Sequence, residues 1–178
     1  MEPLEYQPTE EDLVRWNLYY AARSSYHRRY LLIFRLAIPC IPLAFAFLEL
    51  LSRRFFPALH FVLFAVLWVF IAPGLYRYLI RMQVRRLAKE GYQNLIRKPI
   101  VLAVEEDGIY CRSHIGETLY HYAAVESVSE DNGYTYLLMG KGIALILPHD
   151  RLGKDTVDAF VAEVERRREA PQGSLTLE

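Results

Sequence analysis

The chain has little of what a stapled fold needs. Of its 178 residues only two are cysteine, Cys40 and Cys111, far apart in sequence. No CxxC pair occurs, so neither a disulfide framework nor a zinc knuckle is expected, and two isolated thiols suit a reducing compartment. Net charge is also missing: 21 Lys and Arg balance 21 Asp and Glu. That excludes a nucleic-acid binder working through a whole-molecule positive field. A basic leader is absent as well. Glu2, Glu5, Glu10, Glu11 and Asp12 crowd the start, the reverse of a cleavable signal.

Catalytic signatures are lacking too. There is no GxSxG motif, Walker loop or dinucleotide glycine motif, and Gly140 and Gly142 stand where a hairpin turns. His114, His121 and His149 share a segment with Cys111 and Asp150, but nothing in a strand pattern makes them converge as metal ligands. Glu105, Glu106 and Asp107 read as a solvated turn. No enzymatic activity, cofactor or metal is expected.

The most informative absence is of charge. Residues 55–76, FFPALHFVLFAVLWVFIAPGLY, carry no fixed charge, with His60 near one end. A span needs roughly twenty apolar helical residues to cross about 30 Å of hydrocarbon, and this stretch suffices. A first span over 31–51 contains Arg35 and Glu49 close to its ends, where both can reach headgroups, and Pro39 and Pro42 inside. Only Ser52, Arg53 and Arg54 separate the two, which forces an antiparallel hairpin. Basic residues flank the outer ends (Arg23, Arg28, Arg29, Arg77, Arg81, Arg85, Arg86, Lys89), against Arg53 and Arg54 in the turn. Both termini are therefore expected in the cytoplasm of a multi-pass membrane protein.

Thr9 followed by Glu10, Glu11 and Asp12 predicts a capped helix start. Leu13, Trp16 and Tyr20 then share a face, and this helix is expected to run through Tyr30. Trp16 and Tyr20 read as structural aromatics. Beyond Pro73-Gly74, which should bend the second span, Arg77, Arg81, Arg85 and Lys89 form a ladder at four-residue spacing, with Arg86 beside it. The ladder fixes topology and attracts anionic lipid. Gly91, Asn94 and Lys98-Pro99 mark the helix exit.

From Ile100 the period changes to two. Strands are expected at 100–105, 109–113, 118–122, 125–129, 134–139 and 143–147, separated by Asp107-Gly108, Gly116, Asp131-Asn132-Gly133 and Gly140-Lys141-Gly142. Val157, Phe160, Val161 and Val164 repeat as a closing helix. Domain organisation then reads as 1–98 (amphipathic helix, hairpin and basic extension), 99–168 (a β domain with its helix) and 169–178 (a disordered tail).

The segments TEEDLVRWNLYYAARSS, VEEDGIY, LYHYAAVESV, YTYLL and ALILPHDRL, together with the two-span hairpin, resemble the YcxB-like family of bacterial membrane proteins. The resemblance implies an inner-membrane location and a C-terminal domain similar to bacterial PH-like modules, here a small antiparallel β-barrel or curled sheet. The family often has Trp where this chain has Tyr122, an aromatic in a core or sheet-corner role. The resemblance transfers no enzymatic activity. The expected function is a membrane-anchored, non-enzymatic binding or regulatory protein whose cytoplasmic domain engages a protein, peptide or lipid headgroup. The alternative is an inner-membrane immunity protein that neutralises a toxin. Expected partners are the lipid bilayer and a protein of unknown identity, not nucleic acid. Two helices bury little surface alone, which leaves oligomerisation through the hairpin open.

Overall fold

The computed structural model describes residues 2–90, 98–140 and 142–169. The helix exit read at Gly91 and Asn94, the turn residue Lys141 and the tail from Ala170 lie outside the described residues. The chain divides into two compact units, one of Val14–Arg86 and one that joins the residues up to Leu13 with Leu87–Glu178. The sequence division placed its boundary at 98/99 instead.

The first unit is helical. It takes in most of α1 (Glu10–Arg23), all of α2 (Ser25–Leu51) and α3 (Phe55–Glu90) as far as Arg86. The single helix expected through Tyr30 is in fact two. Ser24 is extended at φ −65, ψ 124. Its N–H closes α1 on the Tyr20 carbonyl at 2.8 Å, and its own carbonyl opens α2 by accepting from Arg28 at 3.0 Å. Serine competes poorly in helix interiors and favours such junctions.

Helices α2 and α3 are both long and apolar enough to cross a membrane, and α3 continues through Pro73. Their turn is a C-terminal cap in which the Arg54 N–H bonds the Glu49 carbonyl (2.9 Å) and the Arg53 N–H bonds that of Leu50 (3.0 Å). Arg53 takes the left-handed position at φ 58, which the cap requires. Within the unit, the buried positions of α3 are Ala58, Ala65 and Ala72, seven residues apart and so on one stripe. Pro39, Pro42 and Ala46 are their counterparts on α2. Ring contacts Phe34–Trp68 (5.4 Å) and Phe45–Phe61 (5.7 Å) join the two helices, and the Trp68 indole donates to the Phe34 carbonyl at 3.3 Å.

The second unit is α+β. Strands β2 (Ile100–Val104), β3 (Gly108–Ser113) and β4 (Gly116–His121) form an antiparallel sheet. A fourth strand joins it that the sequence reading left unassigned: β1 (Leu4–Tyr6), whose Glu5 opposes Val101. Leu4 and Tyr6 are buried and Glu5 is exposed, a period of two compressed into three residues. Strands β5 (Ser127–Asp131), β6 (Tyr134–Leu138) and β7 (Ala144–Pro148) form a second antiparallel sheet. The expected barrel is therefore not closed. After His121 the chain enters a 3-10 turn over Tyr122–Ala124 that takes it out of the pairing plane, and no ladder joins β4 to β5. A short helix α4 (His149–Leu152) and the long α5 (Lys154–Glu169) follow. Val157, Phe160 and Val164 on α5 are fully buried in the core with Leu102, Ile109, Leu137 and Leu147. Burying each such side chain stabilises by about 1.5–3 kcal/mol.

The N-terminal segment is locked into this unit by a buried carboxylate. Asp12 is 1% exposed. It forms a reciprocal cap with Thr9: the Thr9 N–H donates to its Oδ2 at 2.7 Å, and its own N–H donates to Thr9 Oγ1 at 3.3 Å. Its Oδ1 accepts from the Tyr134 hydroxyl on β6 (3.0 Å) and from the Arg151 guanidinium on α4. Arg151 also donates to the Gln7 carbonyl. Burial first, and then the Asp12 charge, push the Tyr6 phenol above its ordinary range. It stays protonated and donates to the Ile146 carbonyl. Removing one member of a buried pair strands the other. Asp12→Ala should destabilise this unit by about 3–5 kcal/mol, while Asp12→Ala with Arg151→Ala should cost less than the sum of the two single variants. Urea denaturation of all four proteins measures both.

Candidate functional site

Of the edges that the two sheets present among the described residues, three are blunted. Strand β1 is three residues long and held by Arg151 through Gln7. Strand β7 carries the Tyr6 hydroxyl on its Ile146 carbonyl and ends in Pro148. Strand β5 carries Glu130 and Asp131, and Lys154 pairs with Glu130 at 3.1 Å. Strand β4 has no proline and no lysine, the usual protections of an edge. All its residues are exposed except the half-buried Tyr120.

The register shows what this edge offers. A two-residue turn, His114-Ile115, closes on the Ser113–Gly116 pair, which makes that pair a hydrogen-bonded one. Alternation then turns the N–H and C=O groups of Glu117, Leu119 and His121 away from β3, toward open solvent. On the outer face Arg112 opposes Glu117, and Tyr110 opposes Leu119. Leu119 is 39% exposed and the neighbouring Ile115 73%. The Tyr110 phenol is raised by its hydrogen bond to Glu117 first of all. His121 Nδ1 lies 3.2 Å from the Asp107 carbonyl, which can only accept, so Nδ1 bears the proton and Nε2 is turned elsewhere. Gly108 permits the close approach of β3 and β4: a Cβ there would meet the Tyr120 carbonyl oxygen at 2.3 Å.

A second cluster imitates a nucleophilic triad. Thr135 Oγ1 is 2.8 Å from His149 Nε2, and His149 Nδ1 is 4.0 Å from Glu130 Oε1. Thr135 is 4% exposed, and 4.0 Å lies outside hydrogen-bond range. The group ties α4 to β6; it gives a substrate no hydroxyl to reach. Burial pushes the Cys111 thiol up, away from a reactive thiolate.

The residues singled out from the sequence fall in several places. Arg77, Arg81, Arg85, Arg86 and Lys89 are all exposed along α3. Trp16 is buried and stacks on Tyr19 (5.8 Å), with Tyr20 also 5.8 Å away. His60 Nδ1 lies 2.7 Å from the Phe56 carbonyl of its own helix. The three histidines of the sheet unit are not brought together: His114 meets Lys98 (3.1 Å), His121 meets Asp107 and His149 meets Thr135.

Tyr122 is 3% exposed at the corner between the sheets. Its hydroxyl donates to the Glu105 carbonyl, which also accepts from Arg167 at 2.8 Å. Arg167 in turn bonds Glu163 at 2.6 Å, as does Arg166. Sequence reasoning found Tyr122, Thr9 and the α5 stripe but missed Arg151, Tyr134 and the open β4 edge. The Thr9-x-x-Asp12 spacing was the available signal for an inward-facing Asp12.

The model of the family described as YcxB-like protein matches residues 104–163, from the end of β2 into α5. No curated protein and no solved structure matches the chain. The YcxB-like resemblance thus holds over β3 to β7, α4 and most of α5, and the match takes in neither β1 nor the hairpin.

Arg166 and Arg167 hold the Glu163 carboxyl down to about 2, against an ordinary 4.5. A depressed folded-state value contributes stability above the unfolded value and loses it as pH falls through the folded one. The docking of α5 should therefore weaken as pH drops from 4.5 toward about 2, and Glu163→Gln should flatten that slope. Urea midpoints followed by tyrosine near-ultraviolet circular dichroism across this interval give the comparison.

Proposed function

Starting from a YcxB-like sheet unit, we propose that this chain is a membrane-anchored, non-enzymatic binding protein of the bacterial inner membrane. Helices α2 and α3 insert as a hairpin, both termini face the cytoplasm, and a PH-like domain docks an extended protein segment along the β4 edge. One observation carries the anchoring: only 17% of each apolar window is buried within the molecule. Phe55, Phe56 and Phe70 are 69%, 82% and 74% exposed. A core helix of a soluble protein would bury these rings, and acyl chains cover them instead. The basic flanks set the orientation. The ladder from Arg77 to Lys89 adds attraction to anionic headgroups of about 1 kcal/mol per charge.

Strand addition suits the β4 edge because main-chain groups of Glu117, Leu119 and His121 supply affinity while Tyr110 and Leu119 shape the contact. The shielded Thr135 hydroxyl and the raised Cys111 thiol support a binding reading.

In a Cys40→Ala, Cys111→Ala background, Ser52→Cys should react with an impermeant maleimide on intact cells, and Ser127→Cys only after lysis. Labelling of both on intact cells, or of neither, would be incompatible with the hairpin topology.

A further inference from the structure

We infer that the occupant of the β4 edge is the β4 edge of a second copy of the chain, paired antiparallel about a two-fold axis through Leu119. This deepens the docking reading above and rests on it. Hydrogen-bond parity restricts the choice. Only Glu117, Leu119 and His121 turn their backbone groups outward, so an added copy must match odd positions with odd positions, and the axis must pass through a residue.

Side chains then select among the axes. With the axis at Leu119, the central row of the outer face reads Tyr110, Leu119, Leu119, Tyr110 across the two copies. The rows on either side read Arg112, Glu117, then His121 of the other copy. In each flanking row the Glu117 carboxylate lies between Arg112 of its own copy and the His121 ring of the other, whose orientation is fixed by Nδ1 on the Asp107 carbonyl. An axis at Thr118 would set Glu117 against Leu119, and one at Tyr120 would set Leu119 against His121. Both forfeit the apolar row and the Glu117–His121 pairs. Cross-strand pairs of opposite charge favour a register and like charges oppose it.

The strand offers only six residues, too short an edge to hold copies together from dilute solution. Anchoring by α2 and α3 confines copies to one surface and raises their effective concentration. The interface is scaled to a tethered chain.

The test is cross-linking of the full-length chain in native membranes, in the Cys40→Ala, Cys111→Ala background. A hydrogen-bonded pair on the axis sets its Cα atoms about 5.5 Å apart, inside the disulfide window of about 4.4–6.8 Å. Leu119→Cys should form a dimer under mild oxidation, while Glu117→Cys and His121→Cys, which meet each other rather than themselves, should not. Adding Glu117→Lys should lower the Leu119→Cys dimer about tenfold, because it removes the carboxylate from both flanking rows and sets a lysine beside Arg112 in each, and adding His121→Glu as well should restore it through a new pair of opposite charge.

Equal cross-linking at all three positions would mean collision without register and would overturn the inference. A Leu119→Cys thiol that stays unlinked yet is shielded from maleimide until the membrane is dissolved would also overturn it, while leaving the edge as a docking site for a different protein. A thiol both unlinked and freely reactive would remove the docking reading along with the pairing.

Discussion

A carboxylate taken almost wholly out of water is the constraint around which the sheet unit is arranged. Asp12 at 1% exposure is tolerable only because each oxygen is met: Oδ2 by the Thr9 amide, Oδ1 by Tyr134 and the Arg151 guanidinium. Desolvating both charges costs several kcal/mol per ion, so such a pair adds less net stability than its geometry suggests. Its effect is on which structure forms. Those contacts fasten the first helical turn of α1 to β6 and α4, and Arg151 also takes hold of Gln7, which keeps β1 against β2.

This arrangement makes the sheet unit discontinuous in sequence. The chain contributes β1 and the start of α1, leaves for the helical unit, and returns at Leu87. Two segments separated by the hairpin must therefore fold together, which raises the entropic cost of closure. The buried ion pair, the Tyr6 hydroxyl on Ile146 and the β1–β2 ladder offset that cost from three directions. Among the described residues they also leave β4 as the edge without a cover, because the N-terminal strand, Pro148 and the Lys154–Glu130 pair all serve other edges.

The two units bury different kinds of side chain. In the hairpin of α2 and α3 the buried residues of the helical unit are small (Ala46, Ala58, Ala65, Ala72) or proline, while Phe55, Phe56 and Phe70 are exposed. The sheet unit is ordinary in this respect: Phe160, Leu102 and Leu137 are inside, and charged residues flank the strands. The exposed rings of the hairpin, beside the ordinary burial of the sheet unit, are what support the proposed membrane anchor.

By itself the sequence determined what depends on local periodicity and composition. The hairpin, the change of period at Ile100, the turns at Asp107-Gly108 and Asp131-Asn132-Gly133, the Thr9 cap and the α5 stripe were all legible, since each is written in neighbouring residues. Only the tertiary structure decided the rest. A three-residue β1 is too short for any pattern, and its strand character comes from pairing with β2, nearly a hundred positions away. The break at Ser24 is one residue's backbone choice within an otherwise helical pattern. Whether six strands close a barrel or part into two sheets turns on the 3-10 turn at Tyr122, whose hydroxyl and Arg167 meet on the same distant carbonyl. Asp12, the last of three consecutive acidic residues, is marked locally only by its spacing from Thr9; its partner, Arg151, is brought to it by the fold alone.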